Sequence, residues 1–100
     1  MARQRFIKPS FFLHGELFDA EAASRLPLRV AFAGLWTQAD RRGVFRCKPR
    51  ELKAAILPHD PCDMEAVLDA LESGGFIKTY VVDGKRYGFI PTLPTHQTFH

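Results

Sequence analysis

Apolar residues recur with two different periods along this chain of 100 residues. From Leu28 to Asp40 the residues Leu28, Phe32, Leu35, Trp36 and Ala39 fall on one side of a 3.6-residue repeat. That stripe predicts a central core helix with Pro27 pre-setting its start. Gly34 inside it costs about 1 kcal/mol relative to alanine, so another element is expected to approach closely there. A shorter stripe of Leu52, Ala55 and Ile56 predicts a second helix over Pro49–Leu57, stopped by Pro58. Met64, Val67, Leu68 and Leu71 predict a third over Asp60–Ser73. Asp60 is expected to cap it, with Pro61 at its first position, Asp63 near the positive end of the helix dipole and Ser73-Gly74-Gly75 as its stop. Residues 16–24 are helix-prone but short, and one or two turns are expected.

From Phe76 the period becomes two. Phe76–Val82 and Lys85–Ile90 are rich in aromatic and β-branched residues, and Asp83-Gly84 between them favours a type I′ turn. That turn sets Val82 against Lys85, Tyr80 against Tyr87 and Lys78 against Phe89 on one face, with Val81 against Arg86 and Ile77 against Ile90 on the other. Tyr80, Tyr87 and Phe89, interleaved with Lys78, Lys85 and Arg86, have the chemistry of a base-stacking surface. One face of the hairpin must nevertheless cover the core, and the aromatic face is expected to do so. Val44–Cys47 reads as a short third strand. Helix, strand, helix, turn, helix and hairpin together predict an α+β domain of the winged helix-turn-helix type, a fold that most often reads nucleic acid. The expected division is a basic N-terminal arm over 1–12, the folded domain over 13–91 and a tail over 92–100. Phe11 and Phe12 would anchor the arm, Leu93 would tuck onto the core, and the tail ends like a linker.

Composition narrows the picture without deciding it. With 46% hydrophobic and 25% charged residues the chain is ordinary globular, and its net charge of +3 is mildly basic. Cys47 and Cys62 are too few for a disulfide framework, no secretory leader is visible, and no apolar run reaches the ~18 residues that span a bilayer. A soluble cytoplasmic protein with no membrane association is the expectation. His59 and Cys62, with His96 and His100, form the only metal-like set, and their spacing is too irregular for zinc. No cofactor is implied. Neither a phosphate-binding glycine loop nor a nucleophile, base and orienting acid can be assembled, so no enzymatic activity is expected.

Charge segregates along the chain. Arg41, Arg42, Arg46, Lys48, Arg50 and Lys53 stand against Glu51 alone, six bases to one acid. The stretch reads either as a solvated face or as a phosphate-contacting surface. Arg3, Arg5 and Lys8 in the arm leave the same two alternatives, with a minor groove as a further target. Lys78, Lys85 and Arg86 complete a candidate nucleic-acid-binding set of twelve residues. Helix 60–73 is the reverse, since Asp60, Asp63, Glu65, Asp69 and Glu72 carry no compensating base. Carboxylates repel phosphates and make a poor major-groove reader. Asp63, Glu65, Asp69 and Glu72 therefore form an alternative face for a basic protein partner.

Short matches run in order along nearly the whole chain: Arg5-Phe6-Ile7-Lys8-Pro9-Ser10-Phe11-Phe12, Gly34-Leu35-Trp36 with Ala39-Asp40-Arg41, and Leu57-Pro58-His59-Asp60. They continue through Gly75-Phe76-Ile77, Tyr80, Asp83-Gly84-Lys85 and Tyr87 to Ile90-Pro91 and His96-Gln97. In these the chain resembles the N-terminal winged-helix domain of phage replication-initiation proteins, the replisome-organiser group related to DnaD and to lambdoid O proteins. The resemblance implies a phage or prophage DNA-binding module, in a bacterial host, serving replication initiation or regulation. It also implies a possible homodimer. The alternative it leaves open is a small phage protein-interaction module that oligomerises or occludes a host complex, such as a replication or defence machine.

Overall fold

A computed structural model describes residues 2–93 of the protein. A single 3-10 turn, Pro9–Leu13, leads into four helices and three strands: α1 (Gly15–Ser24), α2 (Leu28–Gln38), β1 (Val44–Arg46), α3 (Pro49–Ile56), α4 (Met64–Ser73), β2 (Lys78–Val82) and β3 (Lys85–Phe89). The strands form one antiparallel sheet in the order β1-β3-β2, giving a small α+β domain.

The core is built from the predicted stripes. On α2, Leu28, Ala31, Phe32, Leu35 and Trp36 are all buried. Phe32 and Trp36 meet edge-to-face, and Phe76 packs on Phe32 from the other side. Leu52 of α3 and Met64, Val67, Leu68 and Leu71 of α4 close round them. The close approach expected at Gly34 is made by α3, because a side chain there would begin 2.7 Å from the Cβ of Ile56. Leu93 is fully buried, with its N–H on the Ile90 carbonyl. Phe11 anchors the N-terminal segment by an edge-to-face contact with Trp36, whereas Phe12 stays 67% exposed.

Two helices differ from those the sequence suggests, one in its start and one in its length. α4 begins at Met64 rather than at Pro61, and Asp63 is its cap, its carboxylate accepting from the Glu65 N–H at 3.0 Å. Residues 60–62 instead make a tight turn closed by the Cys62 N–H on the Asp60 carbonyl, and Met64, the first core residue, starts the helix. α1 is ten residues long, not one or two turns. Its apolar stripe is weak, with Leu17 alone fully buried, and its start is fixed by His14, whose Nδ1 accepts the Leu17 N–H at 3.3 Å.

The hairpin has the predicted register, with Asp83 and Gly84 both at positive φ in a type I′ turn. The face assignment is the opposite of the expected one. Ile77, Gly88 and Ile90 are buried, while Tyr80 is 40% exposed and Tyr87 and Phe89 are half-buried on the outer face. β1 decides this. Phe45 pairs with Gly88 and lays its ring over it, filling the inner side of the sheet where no β3 side chain stands.

Candidate nucleic-acid interface

Turning the aromatic face outward changes which cations share a surface. In the paired registers, Arg46, Tyr87 and Tyr80 stand in one row across the three strands, with Val44, Phe89 and Lys78 in the next. Lys85 and Val82 lie beyond, beside the turn. Side chains on one face of a sheet are those at matched and alternate positions, so these eight make up the outer face. It carries three exposed cations, Arg46, Lys78 and Lys85, and no carboxylate. The tyrosine rings stack with centroids 5.7 Å apart and 23° between planes. Arg46 places its guanidinium 5.3 Å from the Tyr87 centroid. Arg42 is exposed and pairs with Asp40 at 2.9 Å, a bond that raises its pKa. β1 then runs directly into α3, where exposed Lys48 and Arg50 continue the basic surface and Lys48 pairs with Glu51 at 3.4 Å.

Three of the twelve predicted cations serve the fold. Arg5 donates from Nε to the Trp36 carbonyl at 2.9 Å and from its terminal nitrogen to those of Ala39 and Asp40, at the C-terminal end of α2. Lys53 Nζ donates to the Leu57 carbonyl at 2.6 Å, at the end of α3. Arg86 points to the inner side and pairs with Glu65 of α4 at 2.5 Å, a bond that raises its pKa. Of the others, Arg3 and Lys8 are exposed on the N-terminal segment, where the Arg3 N–H holds the Thr37 carbonyl, and Arg41 is exposed in the turn after α2.

The acidic face is also divided. Glu65 is held by Arg86, and Glu72 accepts from both the Thr79 N–H and its hydroxyl at 2.9 and 2.8 Å. Asp63 is a helix cap, and Asp69 is exposed. Two of the four, Glu65 and Glu72, thus join α4 to the sheet. The Tyr80–Tyr87 pairing followed from the turn, but neither the outward placement of the row nor the Glu72 tie was visible in the sequence. The signal that would have found the row is Gly88 itself, since a mid-strand glycine marks close approach by another group and hence the inner face.

Three carboxyls are held below their ordinary range. For Asp40 and Glu21, burial opposes ionisation, but bonds from Arg42 with the Val44 N–H, and from Arg29, outweigh it. For Glu72 the Thr79 backbone and hydroxyl bonds lower it. A carboxyl lowered on folding stabilises above its unfolded pKa of about 4, and the contribution is lost as pH falls through the folded value. Urea midpoints should therefore be lower at pH 3 than at pH 7, and Glu72→Gln should narrow the difference. Equal midpoints at the two pH values would refute this.

A groove of about 1090 Å³ lies elsewhere, lined mainly by apolar groups that include Phe11, Phe12, Val30, Gly34, Ile56 and Cys62. None of the twelve candidate cations lines it. Among the described residues no group of three His, Cys, Asp or Glu side chains is placed to hold a metal ion, and no helix is long and apolar enough to cross a membrane. His96 and His100 lie outside the described residues. No protein-family model matches the chain, and no curated protein or solved structure matches it.

Proposed function

We propose that this domain is a winged-helix DNA-binding module that holds phosphates with the outer face of its sheet and the start of α3. The observation that carries the reading is the outer face itself, three exposed cations among tyrosines with no carboxylate. Element order supports the fold name: α2, β1, α3, α4 and then a hairpin, with β1 paired to the second hairpin strand. α4 occupies the place of a recognition helix, yet its Asp69 is exposed and it brings no cation of its own. DNA therefore meets the sheet and wing rather than α4. The likeness to phage replication-initiation domains makes origin recognition or its regulation the process that fits this chemistry.

Fluorescence anisotropy with labelled DNA at about 50 and 200 mM salt tests the reading, since each lost phosphate contact flattens the salt dependence by about 0.9 in log–log slope. Replacing Arg46, Lys78 and Lys85 together by alanine should weaken binding about tenfold or more at the lower salt and reduce the slope by about 2–3. Unchanged affinity and slope, or no binding by the parent protein at low salt, would overturn it.

A further inference from the structure

We infer that the Arg46–Tyr87–Tyr80 row is a stacking site for unpaired nucleobases, so that the domain takes single-stranded DNA in preference to duplex. The inference rests on the DNA-binding reading above and names the substrate of the same face.

Phosphate attraction alone does not favour a single strand, because the duplex carries the denser array of charge. The row does. A flat aromatic face exposed on a sheet offers a base a surface of its own size, but only a base that has left its partner and its stack can lie on it. Here two rings already lie nearly parallel at 23°, one of them 40% exposed at the sheet margin, where a further planar group extends the stack. Arg46 at the other end contributes a planar cation over Tyr87. Lys78 is two residues from Tyr80 on β2, and Lys85 two residues from Tyr87 on β3. At about 3.4 Å per residue, each lysine originates about 7 Å along its strand from the row, on opposite sides of it. A strand crossing the sheet thus meets cation, aromatic pair and cation in turn. Cross-strand tyrosine pairing by itself would account for ring contact within the sheet. It does not account for a ring pair flanked on the same face by three exposed cations and no carboxylate.

The test uses the protein with three labelled probes of equal length at about 50 mM salt: a thymidine oligonucleotide, a duplex, and a single strand of abasic residues that keeps the phosphates and lacks the bases. The thymidine strand should bind about tenfold or more tighter than the abasic strand, the effect of at least one stacked base, and tighter than the duplex. Tyr80→Leu with Tyr87→Leu should remove most of that advantage, weakening the thymidine strand more than the abasic one. Tyr80→Phe with Tyr87→Phe should retain it, since the ring faces remain. Equal affinity for thymidine and abasic strands, or preference for duplex, overturns the stacking site while leaving phosphate binding intact. Failure to bind any of the three overturns the DNA-binding reading itself. Because the abasic comparison needs no variant, it holds even where a double substitution perturbs the sheet.

Discussion

Gly88→Ala should lower the melting temperature by about 15 °C, corresponding to a loss of about 3 kcal/mol in a domain of this size. The backbone at Gly88 is not the reason, since its φ is not positive, unlike those of Gly43, Gly75 and Gly84. The reason is Phe45. A Cβ on Gly88 would begin 2.1 Å from the ring tip of Phe45 and within 2.6 Å of two more ring atoms. Phe45 is 2% exposed and has nowhere to withdraw. Overpacking in a closed core costs about 1–3 kcal/mol and occasionally more, and here the clash involves a rigid ring rather than the end of a flexible chain. Combining Gly88→Ala with Phe45→Leu should recover part of the loss, because the smaller, rotatable side chain vacates the site. Thermal melts followed by circular dichroism decide the point. A Gly88→Ala protein melting within about 3 °C of the parent would show that the ring does not hold that position.

Arg5→Ala should cost about 2 kcal/mol, or roughly 10 °C in melting temperature, while leaving the salt dependence of the proposed DNA binding unchanged. The last carbonyls of a helix have no partner within it, and a cation there also faces the negative end of the dipole. One guanidinium bonds three carbonyls at and just beyond the end of α2: that of Ala39, and those of Trp36 and Asp40, which also accept the Ala39 and Gly43 N–H groups. Partial burial lowers its pKa, with the neighbouring Arg3 acting in the same direction. Arg5→Lys should restore only a minority of the loss, since a point ammonium cannot reproduce the planar fork. The opposite pattern, unchanged stability with a flatter salt slope, would make Arg5 the phosphate contact that its place in a basic arm suggests.

These two residues also show what the sequence could and could not convey. Elements whose cause is local were legible: the stripes of α2 and α4, the proline-bounded α3 and the Asp83-Gly84 turn all arise from residues within a few positions of one another. The hairpin register followed from the turn alone. Which face of the hairpin met the core did not, because the deciding group is Phe45, more than forty positions from Gly88 in sequence. Counting aromatic residues pointed the wrong way. The same limit applies to charge. Sequence gives the number of cations, but the assignment of Arg5 to the end of α2 and of Arg86 to α4 depends on groups 34 and 21 positions away, whereas Lys53 meets a carbonyl only 4 positions on. α1 was under-read because its hold is a histidine cap rather than an apolar repeat.

The bond from the Thr79 N–H to Glu72 has a bearing on how molecules behave toward one another. β2 is one of the two edge strands of the sheet, so an amide not turned to β3 is an open invitation to a strand from another chain. Glu72 occupies that amide with a charged side chain anchored on α4. A neighbouring chain zippering onto this margin would have to displace the carboxylate first. The negative charge that ties helix to sheet thus also works as a stopper against fibre-like growth, one that acid would loosen by protonating it.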